Sequence, residues 1–446
     1  MAKQLASYNP SNGELLGEVQ ITETALIEQI VIKAHAASKE WRKLALAERV
    51  ALLEKAYAQL EPHLNEMAIL LSKEMGKDLR RATGEVNGTT HGGSRIAHRA
   101  MTALKSTDLS GGGRIEYKAL GVAAVISPWN YPLAMANNLI VPALVAGNAV
   151  VFKPSEETPL IAKAYVEHLN KVLPQDLLQI VYGDGEQGQA LVESNVNIIA
   201  FTGSQAVGKK IMSVAAGQLK RLVMELGGND PMIVMEDANL EAAVRFAVAS
   251  SFENAGQMCV STERIYVDEK IAKKFEDLVT ELAAAYQVGP WDMPDVNIGP
   301  MINAKQHGKV VEHIRDAEGK GARLLLGGSQ QKEPYIKPTV IADMTPEMLM
   351  EKGETFGPVV AISRYSDINE AIRRANDSNY GLGAVVYGGK QADEVAEQLE
   401  AGMIGINQGV GGAGDAPWVG AKQSGFGFHG SAEGHRQFAQ VRVVSR

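Results

Sequence analysis

The segment FENAGQMCVSTER, residues 252–264, holds Cys259, the only cysteine in a chain of 446 residues. An apolar, helix-like run over 240–252 leads into this segment, and a β-rich run over 264–267 follows it. The pattern therefore predicts that the thiol lies on a polar, glycine-containing turn between a helix and a strand. A lone cysteine is most often a small buried hydrophobe. Chemically active side chains, however, concentrate on turns held between rigid elements, which makes Cys259 a candidate nucleophile.

Length and composition describe a globular chain of more than one domain. A chain of 446 residues is too long for one ordinary hydrophobic core, so two or three domains are expected. Hydrophobic residues make up 45% and charged residues 22%, and the formal net charge of −8 disfavours a nucleic-acid partner. The most apolar run, 139–152, is short and contains Pro142 and Gly147, so no membrane span is predicted. A single cysteine allows no intrachain disulfide and the amino terminus lacks a secretory pattern, so the cytoplasm is the expected location.

The order of predicted elements indicates the fold class. Strands are predicted at 122–126, 149–153, 178–182, 197–201, 220–224 and 231–235, with helices between most of them. This alternation indicates a mostly parallel sheet with helices on both faces, which binds ligands at the carboxyl ends of its strands. The stretch 239–415 repeats the alternation, including a helix predicted at 391–400, and indicates a second α/β domain. A glycine turn with a strand over 114–118 is a candidate protruding arm, and the tail over 438–445 alternates like an edge strand.

Two glycine-rich loops that follow predicted strands are candidate phosphate sites. The sequence GDGEQG, 183–188, matches the dinucleotide pattern GxGxxG. Asp184 and Glu186 would, however, place carboxylates where the phosphate charge must lie, which is repulsive. The sequence FTGSQAVGKK, 201–210, is the better candidate, because helix amides and the Ser204 hydroxyl can face an anion with lysines nearby. Local chemistry alone fits an ordinary capped helix at this loop equally well.

The strand predicted at 149–153 ends in a segment that bears on cofactor choice. Lys153, Ser155 and Glu156 follow one another at this end. A carboxylate at such a strand end can bind ribose hydroxyls and repels a 2′-phosphate, so Glu156 favours NAD over NADP. Lys153 and Ser155 would still accept NADP. The alternative interpretation is a solvated salt bridge of little energetic value.

Five sequence blocks resemble those of the NAD(P)-dependent aldehyde dehydrogenase superfamily. They follow one another along this chain in the same order as in that family. They are ISPWNYPL (126–133), FTGSQAVG (201–208), MELGGNDP (224–231), the cysteine segment (252–264) and ETFGPV (354–359). The resemblance implies an α/β, aldehyde-dehydrogenase-like fold with a Rossmann-type cofactor domain, an α/β catalytic domain and a small β oligomerisation arm. We expect an NAD-binding domain over 1–105 and 122–228, a catalytic domain over 229–420, and an arm and tail over 106–121 and 421–446. In this family such an arm pairs with a neighbouring subunit, so a homodimer or homotetramer is expected.

The resemblance also implies roles for individual residues. Cys259 would attack the carbonyl carbon of an aldehyde, hydride would leave for the nicotinamide, and a thioester would remain on the enzyme. Glu225, at a predicted strand end beside two glycines, would activate water against that thioester. Asn130 and the backbone N–H of Cys259 would bind the oxyanion. No metal is implied, and cofactor contacts are implied at Trp129, Lys153, Ser155, Glu156, Gly203, Ser204, Gly208, Leu226, Glu354 and Phe356.

Departures from the family pattern leave the substrate open. Branches specific for succinic semialdehyde carry an arginine at the position of Asn138, and the helix over 89–100 lacks the tyrosines that often line the substrate tunnel. The segment APWVGAKQSG, 416–425, stands where the family more often has a PFGG sequence. The residues expected to line the tunnel suit an uncharged aliphatic or aromatic aldehyde at least as well as an anionic one. The expected tunnel residues are Tyr131, Met135 and Asn138, and the candidate anchors for a semialdehyde are Arg95, His98 and Arg99.

Three other functions compete with this interpretation. A CoA-acylating semialdehyde dehydrogenase is the nearest, but such enzymes can lack the hydrolytic base that Glu225 would supply. A non-catalytic nucleotide-binding protein is disfavoured by the complete set of Asn130, Glu225 and Cys259. A cysteine hydrolase needs a histidine beside the thiol, and none of the nine histidines is near Cys259 in sequence.

Overall fold

The structure is a computed structural model that describes residues 3–411 and 415–445. The strands are β1 (Gln4–Tyr8), β2 (Leu15–Gln20), β3 (Thr107–Leu109), β4 (Gly113–Ala119), β5 (Val122–Ile126), β6 (Ala149–Lys153), β7 (Leu178–Ile180), β8 (Ile198–Gly203), β9 (Arg221–Leu226), β10 (Asp230–Val234), β11 (Thr262–Asp268), β12 (Gln287–Val288), β13 (Val296–Ile298), β14 (Arg323–Leu326), β15 (Thr339–Ala342), β16 (Val359–Tyr365), β17 (Gly383–Tyr387), β18 (Met403–Ile406), β19 (Gly425–Phe426) and β20 (Ala439–Ser445). The helices are α1 (Thr24–Trp41), α2 (Leu46–Tyr57), α3 (Leu64–Met75), α4 (Leu79–Ala103), α5 (Pro132–Val145), α6 (Pro159–Leu169), α7 (Gly185–Glu193), α8 (Gln205–Ala216), α9 (Leu240–Phe252), α10 (Glu269–Ala284), α11 (Ala304–Gly319), α12 (Leu349–Lys352), α13 (Ile368–Asn376), α14 (Ala392–Ala396) and α15 (Ala432–Arg436).

The first large sheet has six strands in the order β19-β9-β8-β5-β6-β7. Its strands are parallel except β19, which runs antiparallel to β9. Every residue of β5 and β6 is buried, as expected where helices cover both faces of a parallel sheet. Because these strands are parallel, the carboxyl ends of β5, β6, β8 and β9 meet at one edge of the sheet.

The second large sheet has seven strands in the order β14-β15-β16-β11-β10-β17-β18. It is parallel except for the antiparallel pair of β14 and β15. Apolar side chains of α9 and α10 pack against it in a separate hydrophobic core. The α/β fold class predicted from the alternating elements is confirmed by these two sheets and their helices.

A small sheet of β20, β4 and β3 lies apart from the two large ones. Strand β20 pairs antiparallel with β4 along its whole length, from Ala439 opposite Ala119 to Ser445 opposite Gly113. The predicted arm strand and the predicted edge strand of the tail therefore form one sheet. Part of the tail does not belong to it, because Gly425 and Phe426 pair with β9 in the first large sheet instead.

Two predicted elements are shorter than the sequence indicated. The helix predicted at 391–400 ends at Ala396, because the Asn376 side chain binds the backbone of Gln398 and Glu400 and draws the chain away from the helix. The strand predicted at 178–182 ends at Ile180. The Tyr182 N–H donates a hydrogen bond to the Thr22 hydroxyl and not to a neighbouring strand. Within the described residues no helix is both long enough and apolar enough to cross a membrane.

Candidate active site

Three neighbouring spaces lie near the edge of the first large sheet. A large cleft of about 1420 Å³ runs past the carboxyl ends of β5, β6 and β8 and is closed on its other side by α11. An inner cavity of about 400 Å³ shares Trp129, Gly203 and Lys309 with the large cleft and contains Cys259. An outer cavity of about 440 Å³ meets the inner cavity at Tyr131 and shares no lining residue with the large cleft.

The inner cavity brings the three predicted catalytic residues together. Cys259 lies between α9 and β11, as the sequence predicted, and Glu225 is the penultimate residue of β9. Asn130 follows the carboxyl end of β5 and precedes α5. The first sheet therefore contributes the carboxylate and the amide, whereas the second contributes the thiol.

A left-handed turn sets the position of Cys259. Asn254, Ala255 and Gly256 all have positive φ values, of 52°, 59° and 71°. A Cβ atom on Gly256 would lie 2.1 Å from the Gly357 carbonyl oxygen, so only glycine fits. The buried Gln257 side chain braces the turn, since it donates to the Asn254 carbonyl and accepts the N–H of Ile302 at 3.0 Å.

The Cys259 thiol and the Glu225 carboxylate line the same inner cavity and shift each other's pKa. Burial raises the pKa of the thiol well above its ordinary value, and the nearby carboxylates of Glu225, Asp230 and Glu354 raise it further. Burial also raises the pKa of Glu225 to about 7, against the opposing hydrogen bonds from Cys259 and Trp418. The thiol is therefore protonated at neutral pH, and the adjacent group that can take its proton is Glu225.

Trp418 contacts Glu225 from the far side of the cavity. Its indole N–H points to the Glu225 carboxylate at 3.5 Å, a long and weak hydrogen bond. Its backbone is held by a β-bridge to His429, with the Trp418 N–H 2.8 Å from the His429 carbonyl oxygen. The sequence showed that the segment 416–425 departs from the family pattern, but it did not predict Trp418 as a site residue.

Buried polar contacts fix the Asn130 backbone and side chain. The Asn130 side-chain amide donates one N–H to the Gln257 carbonyl at 3.0 Å. The Asn130 carbonyl accepts from Lys77, which also pairs with Glu85 at 2.7 Å in a fully buried ion pair. Glu85 in turn accepts the first backbone N–H groups of α5. Lys77 and Glu85 were missed by the sequence analysis, because their function depends on a contact with a residue far away in the chain.

The loop with Glu354 and Phe356 forms the wall of the inner cavity beside Trp129. Glu354 accepts the Gly228 N–H at 3.2 Å, and burial raises the pKa of its carboxyl to about 8. Phe356 has a φ of 58° and packs edge-on against Trp129, with ring centroids 5.7 Å apart. The buried Glu263 carboxylate holds this loop by accepting the backbone N–H of Phe356 at 2.9 Å.

The remaining predicted cofactor residues differ in the space that they line, and Gly203 and Ser204 line both the large cleft and the inner cavity. The group that lines the large cleft comprises Lys153, Ser155, Glu156, Gly203 and Ser204. Leu226 lines the inner cavity. Gly208 lines neither space and lies inside α8, where a Cβ atom would come within 2.7 Å of Leu226, so glycine there allows the helix to pack on β9.

The two glycine-rich loops both border the large cleft. The 201–210 loop begins α8, and the Ser204 hydroxyl caps this helix by accepting the Val207 N–H at 3.5 Å. In the 183–188 loop, the Asp184 carboxylate caps α7 and accepts the Glu186 N–H at 2.9 Å. A carboxylate therefore occupies the amides of α7, whereas an uncharged hydroxyl lies at the amino terminus of α8, which favours α8 as the anion site.

The lining of the large cleft fits a dinucleotide. Ser127 is one of the residues that line this cleft. Its hydroxyl is buried and has no hydrogen-bond partner among the described residues. Glu156 is exposed and lies 3.8 Å from the buried ammonium of Lys153. The lining also carries the cationic side chains Lys210, Lys305, Lys309 and Arg315. An unsatisfied hydroxyl, a strand-end carboxylate and cations are the groups that ribose and pyrophosphate require.

Comparison with known proteins identifies this arrangement. The model of the aldehyde dehydrogenase family matches residues 1–444. The chain belongs to the aldehyde dehydrogenase family. Among relatives of this family member, a probable succinate-semialdehyde dehydrogenase [NADP(+)] of Sinorhizobium fredii is 38% identical over 99% of this chain and 92% of its own length. A 3-sulfolactaldehyde dehydrogenase of Pseudomonas putida is 35% identical over 98% of this chain and 93% of its own.

Solved aldehyde dehydrogenase structures share the whole fold. Succinate-semialdehyde dehydrogenase from Burkholderia pseudomallei has a TM-score of 0.95 at 35% identity, covering 99% of this chain and 94% of that chain. Lactaldehyde dehydrogenase from Escherichia coli has a TM-score of 0.95 at 33% identity, covering 100% of this chain and 96% of that chain. The predicted family and fold are thereby confirmed for this aldehyde dehydrogenase.

The inner cavity also bears on the predicted cysteine hydrolase alternative. Among the described residues, no histidine lines the cavity beside Cys259. The basic group beside the thiol is a carboxylate, which disfavours a cysteine–histidine hydrolase. Of the expected tunnel residues, Met135 lines the inner cavity, Asn138 lines the outer cavity, and Tyr131 lies between the two.

Proposed function

We propose that this family member oxidises an aldehyde to the carboxylic acid with NAD, accepting NADP as well, through a thioester on Cys259. The observation that carries the proposal is the pair of Cys259 and Glu225 in one small cavity that also contains Asn130. The proposed use of NAD and NADP agrees with the family, whose members oxidise aldehydes with NAD(P). A pair of this kind supplies both a nucleophile and a base within one small space.

The first covalent step joins sulfur to carbon. Glu225 accepts the proton of the Cys259 thiol while the sulfur attacks the aldehyde carbon, and the carbonyl electron pair moves onto oxygen. The second N–H of the Asn130 amide and the Cys259 backbone N–H are the donors we assign to that oxyanion. Losing one such donor costs roughly 3 kcal/mol of transition-state stabilisation in comparable sites.

The dinucleotide, when bound in the large cleft, supplies the acceptor for the hydride that leaves the former aldehyde carbon. We assign Trp129, Leu226, Glu354 and Phe356, which line the inner cavity with Cys259, to the nicotinamide end of the dinucleotide. Lys153, Ser155 and Glu156 hold the ribose, and the amino terminus of α8 with Gly203 and Ser204 holds the pyrophosphate. Gly208 contributes indirectly by letting α8 pack close to β9.

The second covalent step releases the acid. Glu225 takes a proton from water, the water oxygen attacks the thioester carbon, and the C–S bond breaks as Glu225 returns that proton to the Cys259 sulfur. This role requires Glu225 to give up the proton it took in the first step, which a carboxyl with a pKa of about 7 can do near neutral pH. A CoA-acylating enzyme has no need of such a base, so Glu225 favours hydrolysis.

We further propose a cytoplasmic homodimer or homotetramer. The support is the arm sheet, in which Val441 and Val443 of β20 are 47% and 63% exposed. Apolar side chains on an exposed strand are typical of surfaces that pair with another copy of the chain. The single cysteine, with no disulfide, is compatible with a reducing compartment.

The test is the absorbance of reduced nicotinamide with NAD and NADP against a panel of aldehydes, each with and without CoA. The panel contains succinic semialdehyde, a medium aliphatic aldehyde and benzaldehyde. We expect NAD-linked turnover without CoA, and we expect Cys259→Ala to abolish it while NAD binding persists. Turnover only with CoA would support the acylating alternative, and binding without turnover of any aldehyde would support the non-catalytic one. Retained turnover by Cys259→Ala would remove the thiol from the mechanism.

A further inference from the structure

The outer cavity is shaped by a glycine face of α4. Gly84, Gly88 and Gly92 recur at four-residue intervals, so they share one face of the helix. A Cβ atom on Gly84 or Gly88 would meet nothing within 4 Å, because the space beyond them is open. Tyr131 separates this space from Cys259, and its hydroxyl donates to Glu253 at 3.0 Å. A substrate that reaches from the outer cavity to the thiol must therefore pass this tyrosine ring.

The two carboxylates in the outer cavity already have partners. Glu253 accepts from Arg81 at 2.8 Å as well as from Tyr131. Glu85 accepts from Lys77 at 2.7 Å and from two backbone N–H groups of α5. Each negative charge is thus balanced by a cation, and neither is left to neutralise a third positive group.

Arg95 is that third positive group. It lines the outer cavity and, within the residues that the structure describes, it makes no hydrogen bond or ion pair. The two other candidate anchors lie elsewhere, since His98 pairs with Glu54 at 2.7 Å and Arg99 pairs with Asp415 at 2.9 Å. Of the three basic side chains that the sequence offered, only Arg95 faces the cavity.

Two polar groups without partners accompany this guanidinium. The Thr89 side chain is 2% exposed, lines the outer cavity, and its hydroxyl has no hydrogen-bond partner among the described residues. Asn138 lines the same cavity, and its side-chain amide makes no hydrogen bond with any residue that the structure describes. A buried hydroxyl without a partner costs free energy, which a ligand that hydrogen-bonds to it would recover.

We propose that Arg95, Thr89 and Asn138 together hold the anionic end of the substrate, so that this enzyme prefers aldehydes with a carboxylate or sulfonate at the far end. The proposal rests on the aldehyde oxidation proposed above and names its substrate class. An oxyanion of either kind can accept from a guanidinium, a hydroxyl and an amide at once. In this anchor the positive charge comes from Arg95 on α4, and Asn138 on α5 adds an uncharged amide.

The experiment compares an anionic with an uncharged aldehyde of similar length. We measure kcat and KM of the full-length enzyme for succinic semialdehyde and for butanal, in wild type, Arg95→Gln, Arg95→Lys and Arg80→Gln. Arg80 is the matched control, because it lies on α4, is mostly exposed and lines none of the three spaces. A sulfonated aldehyde in the same series distinguishes the two anion types.

We expect Arg95→Gln to lower kcat/KM for succinic semialdehyde about tenfold, mainly through KM, since a charged hydrogen-bond donor is lost. Butanal turnover should stay within about twofold and thereby show that the variant is folded, while Arg95→Lys should recover part of the loss. Equal losses for both aldehydes, or no loss for either anion, would overturn the anchor while leaving aldehyde oxidation intact. Wild type that oxidises no aldehyde would overturn the proposed function and the anchor with it.

Discussion

The Cys259 thiol shares its cavity with the carboxylates of Glu225 and Glu354. The sequence left open whether a helix amino terminus or a basic neighbour lowers the pKa of this cysteine. In the structure, burial and three nearby carboxylates raise the pKa of the thiol instead. A thiolate is therefore not stored in the resting site, and it must form as Glu225 takes the proton during attack. The pair consequently works only when Glu225 is ionised.

The first prediction concerns the pH dependence of this pair. Burial raises the pKa of Glu225 to about 7, so below that pH the carboxyl keeps its proton and cannot act as a base. We expect kcat to rise with pH up to about 7 and then level off. Glu225→Gln should lower kcat by roughly 10²–10⁴, measured by the absorbance of reduced nicotinamide, because both covalent steps lose their base.

Glu241→Gln is the control for that prediction, because Glu241 is an exposed side chain of α9 outside the three spaces. It should keep both the wild-type rate and the wild-type pH profile. An unchanged rate in Glu225→Gln would rule out Glu225 as the base.

The second prediction concerns the indole of Trp418. Trp418→Phe keeps an aromatic ring in the inner cavity but removes the N–H that points to Glu225 at 3.5 Å. Since this donor lowers the pKa of Glu225, the rising limb of the pH–kcat profile should move to higher pH. The bond is long, so we expect only about a twofold loss of kcat on the acidic side of the profile.

Trp291→Phe makes the same change at a tryptophan outside the inner cavity. It should leave the pH profile where it is. If Trp418→Phe gave the wild-type profile too, the indole would be a packing group rather than a positioning residue for Glu225.

At the scale of the element, the turn between α9 and β11 determines where the thiol lies. The strand that follows is tied down by the buried Arg264 side chain, which donates to the Asn229 carbonyl at 2.9 Å and the Ala375 carbonyl at 3.0 Å. The turn itself depends on three consecutive left-handed residues, two of which are not glycine. Such conformations persist only where the surrounding structure holds them.

The third prediction tests that turn. Gly256→Ala would place a methyl group 2.1 Å from the Gly357 carbonyl oxygen and would strain a residue with φ of 71°. We expect ~2–4 kcal/mol loss of unfolding free energy, measured by chemical denaturation, and a fall in kcat as Cys259 moves. Gly319→Ala, at the end of α11 with open space around it, should cost at most ~0.5 kcal/mol. Equal stability of the two variants would show that the turn adapts.

At the scale of the whole molecule, the inner cavity exists only between the two large sheets. Asn130 and Glu225 come from the first sheet, and Cys259 with the Glu354 loop comes from the second. The large cleft and the outer cavity reach it from different sides. A small change in how the two sheets pack would therefore separate the base from the nucleophile without altering either residue.

The fourth prediction concerns assembly through the arm. Val443 on β20 is 63% exposed, so Val443→Lys should place a charge in the proposed subunit contact and shift the protein to a smaller oligomer. Light scattering coupled to size-exclusion chromatography measures the mass directly. Leu219→Lys alters a 93% exposed side chain after α8 and should leave the mass unchanged. An unchanged mass for both variants would remove the arm from the proposed assembly.

Much of the fold could be predicted from the sequence, because its pattern is local. Apolar runs such as 122–126 and 149–153 indicate buried parallel strands through their own composition, and the helices between them follow from periodicity. Where a long-range contact ends an element, the local pattern was insufficient. The bonds from Asn376 that shorten the helix predicted at 391–400 join segments more than twenty residues apart.

The sequence by itself determined the class of the fold, the family and the choice of Cys259, Glu225 and Asn130 as candidates, since each lies in a contiguous block of recognisable residues. Only the tertiary structure decided which of the basic side chains on α4 pair with a carboxylate. His98, Arg99 and Arg95 look alike on one helix, yet Glu54 and Asp415 pair with the first two and leave Arg95 facing the outer cavity. The electrostatic environment of a group depends on burial and on partners distant in sequence, and both arise only when the chain has folded.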